Sequence, residues 1–169
     1  MIARRIILAV SLVVIAAAVQ TTLFVDFRPF DVAPALVVLT VIAVSRHLEG
    51  EAAVAIGFGI GVFLDLLSES PLGLWALVMT TVAFATVRLR DRTEDDPVLL
   101  GVGVFALSLG ALALFSVLGT IFGEKTLADA GIVRKIVLPS VYNTLLALVV
   151  LPVTTWLLVG GRPRSEWEL

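Results

Sequence analysis

Long apolar segments alternate along this chain with short clusters of charged and turn-forming residues. A helix needs about 20 mostly apolar residues to cross the hydrocarbon of a membrane. Several segments reach that length, and the shorter ones approach it when the polar residues at their ends are included. The pattern predicts an all-α fold of six membrane-spanning helices, at residues 6–25, 32–47, 52–67, 71–87, 98–122 and 136–159.

Two prolines guide the expected helix starts. Pro34 is expected in the first turn of the second span, where a proline is tolerated. Ser70 and Pro71 are expected as the N-cap and first residue of the fourth span. The third and fourth spans should therefore form a tight hairpin that turns at residues 68–70.

The third span carries a stripe of small residues that ends in an acid. On a helix, Ala53, Gly57, Gly61 and Asp65 follow one another at intervals of four and lie on one face. Two glycines at this spacing let a second helix approach closely inside a membrane. An acid is costly in lipid and needs a reason to be there. The stripe predicts a packing surface with a polar lock at its end.

Composition agrees with a membrane environment. The 169 residues are 59% hydrophobic and 15% charged, and the mean hydropathy is +1.08. A soluble domain of this length cannot bury so much apolar surface. Residues 1–169 are expected to form a single six-helix membrane domain. The net charge of −2 gives no indication of a nucleic-acid partner, and the absence of cysteine excludes disulfides.

The distribution of positive charge predicts the orientation. With six spans, eight of the twelve Lys and Arg residues lie on the side of the two termini, which should therefore be cytoplasmic. The first span also has features of a cleavable signal peptide, namely Arg4 and Arg5 before an apolar stretch and three alanines at 16–18. Its apolar run continues to Val25, which favours a retained span.

Several polar side chains should lie near the external face in this orientation. Gln20 falls in the outer part of the first span, Asp65 in that of the third, and Tyr142 with Asn143 in that of the sixth. Polar groups in lipid seek one another or a cavity. We expect Asp65 to pair with Tyr142 or Asn143, or with a residue of a partner protein. Two cations on the same side are further candidates, Arg134 and Lys135.

The residues needed for catalysis are missing from the predicted spans. The one histidine, His47, belongs to a predicted cytoplasmic loop, and no cysteine exists to complete a metal site with it. Asp65 is the only acid well inside a span, whereas carboxylate-based hydrolysis needs two. A protein without catalytic activity, cofactor or metal is therefore expected.

One motif resembles a known family. Gly57-Phe58-x-x-Gly61-x-x-x-Asp65, followed by Ser70-Pro71-Leu72-Gly73, is similar to the central signature of the rod shape-determining protein MreD family. Weaker similarities occur in the same order elsewhere, at Gln20-Thr21-Thr22-Leu23, Pro34, Tyr142-Asn143 and Pro152.

The resemblance implies a small six-span protein of the bacterial inner membrane that partners the single-span protein MreC. It implies a place in the elongation machinery, with the glycosyltransferase RodA, its penicillin-binding transpeptidase and the cytoskeletal MreB. Gly57, Gly61, Asp65 and Gly73 would be residues of folding and assembly, and no catalytic residue comes with them. The role implied is structural and regulatory, in lateral peptidoglycan synthesis.

A second interpretation is the substrate-binding membrane subunit of an energy-coupling-factor vitamin transporter. Those subunits also have six helices, and the MreD fold is similar to theirs. A polar cluster of Gln20, Asp65 and Asn143 would then form a ligand pocket open to the outside. The short external turn at residues 68–70 leaves little chain to close over a vitamin, which favours the scaffold.

The charge distribution leads to a test of topology. A reporter that is active only in the cytoplasm, fused after Leu169, should be active, because most positive residues lie on the side of the termini. A reporter that is active only in the periplasm should be silent at the same position. The reverse result would overturn the predicted orientation.

Overall fold

The computed structural model describes residues 2–26, 32–68, 70–93, 96–124 and 126–159. Six α-helices account for nearly all of them, which confirms the predicted all-α fold class. Their bounds are α1 Ile2–Asp26, α2 Leu36–Ser45, α3 Gly50–Leu67, α4 Leu74–Thr93, α5 Pro97–Ile121 and α6 Ile132–Val159.

Four of the helices are long and apolar enough to cross a membrane: α1, α3, α5 and α6. Helix α2 is apolar but has only 10 residues. Helix α4 has 20 residues, and its last turns carry basic residues. The expectation of six spans is thus supported for four helices by length and composition, while the crossing of α2 and α4 stays a prediction.

The start of α2 differs from the prediction. Residues 32–35 are not helical, so Pro34 precedes the helix instead of lying in its first turn. Proline disfavours helical geometry in the residue before it and has no N–H to donate. The remaining helix is only about 15 Å long. All ten of its residues are buried, as expected for a helix that is apolar all round.

The start of α4 also differs. The prediction placed Pro71 at its first position, whereas residues 71–73 form a turn and the helix begins at Leu74. Gly73 has a φ of +95°, which a right-handed helix does not accommodate and which favours glycine. At its other end α4 continues beyond the predicted residue 87, to Thr93.

Helix α2 lies at the centre of the bundle and contacts all five other helices. Leu39 and Ile42 of α2 are fully buried, as are Val78 and Met79 of α4. Around this pair of helices, α1, α3, α5 and α6 expose many apolar side chains, as lipid-facing helices do. The core is therefore formed by the short helix α2 and the buried face of α4, with the other four helices around them.

Helices α3 and α4 pack along the glycine stripe. Ala53, Gly57, Gly61 and Asp65 are all buried. A Cβ on Gly57 would lie 2.8 Å from the carbonyl oxygen of Met79. A Cβ on Gly61 would lie 2.5 Å from the carbonyl oxygen of Trp75 and still closer to the Cα of Ala76. The two backbones are thus too close for any side chain at these positions.

Side chains of α4 and α6 bind the chain just after the C-terminal end of α2. The Arg90 guanidinium donates hydrogen bonds to the carbonyl oxygens of Leu48 (3.2 Å) and Arg46 (3.4 Å). The ring of His47 is within hydrogen-bonding distance of the Thr155 hydroxyl, at 3.0 Å. We call this end of the bundle the Arg90 end, and the end at which α3 finishes the Asp65 end.

The stripe generates a stability prediction. Gly61→Ala and Gly57→Leu should each lower the thermal unfolding midpoint of the detergent-solubilised protein, because overpacking against backbone costs about 1–3 kcal/mol or more. Gly59→Leu is the matched control on the same helix, since a Cβ there meets nothing within 4 Å.

Gly101→Leu is a second control, since the nearest atom to its Cβ would be a methyl carbon of Thr144 at 3.9 Å. Equal midpoints for the stripe variants and both controls would contradict close packing of α3 on α4.

Candidate functional site

The carboxylate of Asp65 binds the first turn of α4. Its Oδ2 accepts hydrogen bonds from the backbone N–H groups of Gly73 (2.9 Å) and Ala76 (3.1 Å). Its Oδ1 accepts one from the N–H of Trp75, at 2.9 Å. The residue is only 3% exposed. An acid of α3 thus caps the neighbouring helix.

Helix α4 needs such a cap because it has none of its own. The first N–H groups of any helix lack a partner within the helix, and Gly73, the residue before α4, has no side chain to supply one. The N-terminus also carries a partial positive charge. A carboxylate opposite satisfies the N–H groups and the dipole together, which offsets the cost of burying an acid at this depth.

The hydrogen bonds of Asp65 differ from the intramolecular pairing expected with Tyr142 or Asn143, while pairing with a residue of a partner protein stays a prediction. Within the described chain, its hydrogen bonds go to α4 backbone and not to Tyr142 or Asn143. Lys135 pairs with Asp129 instead, and that contact lowers the pKa of the Asp129 carboxyl. The N–H groups of α4 lie opposite the end of α3 in a short hairpin, so they meet the carboxylate first.

Gln20 and Asn143 each bind a backbone group at the start of α2. The Oε1 of Gln20 accepts a hydrogen bond from the N–H of Val37, at 3.1 Å. The Nδ2 of Asn143 donates to the carbonyl oxygen of Ala35 (3.0 Å) and to the Ser108 hydroxyl (3.1 Å). Asn143 is fully buried, and its Oδ1 has no hydrogen-bond partner among the described residues. These contacts hold α2 to α1, α5 and α6.

The two sites follow one rule. Helices α2 and α4 are preceded by Ala35 and Gly73, neither of which can cap a helix with its side chain. In each case the cap comes from a neighbouring helix. Sequence reasoning selected Gln20, Asp65 and Asn143 as polar residues but expected them in one cluster. It missed Ser108, although a proline followed by an uncapped apolar helix could have pointed to a cap from elsewhere.

A cavity lies between α1, α2, α3 and α4. Its volume is about 380 Å³, and Gln20, Ala35 and Trp75 are among the residues that line it. Trp75 stacks on Phe115 of α5, with ring centroids 4.3 Å apart and planes tilted by 30°. The capped starts of α2 and α4 therefore form part of its wall.

The described residues contain no group of three or more His, Cys, Asp or Glu side chains that could hold a metal ion. The polar side chains of the two caps bind backbone groups, apart from the contact between Asn143 and Ser108. The arrangement is suited to holding helices in position.

Comparison with known families agrees with the geometry. The model of the family described as rod shape-determining protein MreD matches residues 2–159. The chain belongs to the MreD family. The resemblance seen in the glycine–aspartate motif is thereby confirmed. Comparison with curated proteins and with solved structures gave no match.

Membership places the protein in a membrane and gives it a role in the determination of rod shape. MreD proteins are a shape-determining family and are not known as enzymes. In this MreD chain, the signature residues Gly57, Gly61, Asp65 and Gly73 all belong to the α3–α4 hairpin: two pack, one caps and one turns.

The cap generates a prediction for Asp65. Asp65→Ala should leave three N–H groups at the start of α4 without this partner and should destabilise the protein, since hydrogen bonds to a charged group contribute about 1.5–3 kcal/mol. Asp65→Asn should be intermediate, because one of its two polar atoms is a donor and opposes an N–H. Amide hydrogen exchange at Trp75 and Ala76 should accelerate in the same order.

Glu51→Gln is the control, since this acid lies exposed in the first turn of α3. Unchanged exchange at Trp75 and Ala76 in Asp65→Ala would contradict the cap.

Proposed function

We propose that this MreD chain is a non-catalytic membrane scaffold of the bacterial cell-elongation machinery. In this proposal it binds MreC and supports lateral peptidoglycan synthesis. The observation that carries it is the use of the signature residues within the fold. Asp65 is 3% exposed and bonded to three N–H groups, so it is committed to architecture and is not offered to a substrate.

The proposed setting is the bacterial inner membrane, with six crossings and both termini in the cytoplasm. The Arg90 end is then cytoplasmic and the Asp65 end external. The excess of Lys and Arg on the side of the termini supports this orientation, and it includes the basic last turn of α4 at the Arg90 end. The similarity of the fold to energy-coupling-factor transporter subunits stays a prediction.

Association with MreC would depend on shape more than on hydrophobicity. Lipid tails are as apolar as the helices, so helices in a membrane associate through close packing and hydrogen bonds. A hairpin that is locked by Gly57, Gly61 and Asp65 offers a surface of fixed shape. RodA, its penicillin-binding transpeptidase and, on the cytoplasmic side, MreB are proposed as members of the same assembly.

The vitamin-transporter alternative is not supported by the comparisons, which place the chain in the MreD family. The ligand pocket expected from Gln20, Asp65 and Asn143 also lacks support. Asp65 and Asn143 are buried and bind different helices, so they do not form one open polar surface.

The test is co-purification with MreC, combined with cell shape. Wild-type protein should retain MreC, and Gly61→Leu should lose it and produce rounded cells, because the hairpin can no longer close. Gly59→Leu, on the same helix and free of neighbours, should behave as wild type.

Membrane levels of each variant are measured by immunoblot, so that loss of protein is distinguished from loss of binding. Failure of the wild-type protein to retain MreC would contradict the scaffold role, as would saturable vitamin binding by the purified protein.

A further inference from the structure

The cavity between α1, α2, α3 and α4 has an apolar part and a polar part. Val14, Val38 and Met79 line it, as do the small residues Ala17 and Ala18. Three polar residues share the lining, Gln20, Thr21 and Ser68. They lie near or just beyond the ends of α1 and α3, at the Asp65 end, whereas Val14 and Met79 lie further from that end along their helices. The polar residues of the lining thus lie towards one surface of the bundle, beside the apolar Leu64 and Leu67.

Gln20 has hydrogen-bonding capacity to spare at this polar part. Its Oε1 is occupied by the N–H of Val37, and its Nε2 makes no hydrogen bond with the rest of the described chain. The hydroxyls of Thr21 and Ser68 are already engaged, with the carbonyl oxygen of Ala17 and with Ser70. The amide of Gln20 is therefore one donor of the cavity lining that has no partner among the described residues.

The size of the cavity restricts what fills it. One helical turn with its side chains is about 10 Å across and 5.4 Å long, a volume of about 400 Å³. The cavity, at about 380 Å³, thus has room for no more than about one turn of a helix, much less than the length of a helix that crosses a membrane. A flexible hydrocarbon chain has no such requirement, and lipid surrounds a protein at this depth.

We propose that the cavity holds one acyl chain of a phospholipid from the leaflet at the Asp65 end. An ester or phosphate oxygen of that lipid accepts a hydrogen bond from the Gln20 amide. The inference requires only a protein in a membrane, which family membership provides, and does not depend on the proposed scaffold role or its partners.

The polar part of the cavity should determine how firmly the lipid is retained. An acyl chain gains little by moving from lipid into an apolar cavity, because both environments are hydrocarbon. A hydrogen bond formed away from water contributes more than one at an exposed surface. Retention of the lipid should therefore depend on Gln20, while the chain fills the space between the alanines.

Trp75 provides the readout. It lines the cavity, and replacing the other two tryptophans, Trp156→Phe and Trp167→Phe, leaves it as the one indole. The protein is reconstituted in phosphatidylglycerol vesicles with brominated or unmodified acyl chains, because bromine quenches tryptophan fluorescence on contact. Quenching should be strong in this background.

Ala18→Phe, at an exposed position of the lining, should fill the cavity and remove most of the quenching. Val10→Phe is the matched control, since Val10 is exposed on the same helix and is not part of the lining; it should change nothing. Equal quenching in the Ala18→Phe and Val10→Phe proteins would overturn the proposal. Weak quenching of the parent protein would also overturn it. So would a result in which a cysteine placed at Ala18 is protected from a thiol reagent by added MreC but not by lipid, because the occupant would then be the partner protein.

A second measurement tests the headgroup contact. Gln20→Glu keeps an oxygen for the N–H of Val37 and removes the amide donor, so the start of α2 should stay capped. Native mass spectrometry of the detergent-purified protein should find bound phosphatidylglycerol in the wild type and its loss in Gln20→Glu. Equal retention by both proteins would exclude the contact with Gln20.

Discussion

Hydrocarbon offers a backbone N–H no hydrogen-bond partner, so the protein must supply one itself. This constraint governs how the bundle is built. The start of α4 lies against the end of α3, and the carboxylate of Asp65 satisfies three of its N–H groups. That contact sets where α4 begins and how it lies along α3. The close approach of Gly61 to Trp75 and of Gly57 to Met79 follows from the same position.

Helix α2 obeys the same constraint through a different chemistry. Its N–H at Val37 binds the Gln20 amide oxygen, and the preceding carbonyl of Ala35 accepts from Asn143. The side chains here are neutral amides, and they cap one N–H, whereas the carboxylate of Asp65 caps three at the start of α4. The opposite end is held by Arg90. A helix of 10 buried residues is thereby fastened at both ends by side chains of longer helices.

These contacts give the glycines and the acid of the family signature a structural role. Each signature residue has a mechanical task within one hairpin, and Gly73 supplies the positive φ with which the turn enters α4. The result is a closely packed hairpin that contacts α2 and α5 and forms part of the cavity wall. A surface of fixed shape is what the proposed scaffold role requires.

The sequence by itself determined the membrane environment, the number of helices, the stripe on α3 and the family, because hydropathy and helical periodicity are local properties of the chain. Only the tertiary structure decided which group Asp65 binds, since a carboxylate's partner is whatever donor the packed hairpin brings opposite it. The same holds for the late start of α2, and for the separation of Gln20 and Asn143 from Asp65. Capping by a neighbouring helix joins residues such as Ala35 and Asn143 that are distant in the chain. A local sequence pattern does not show which distant residues will pair.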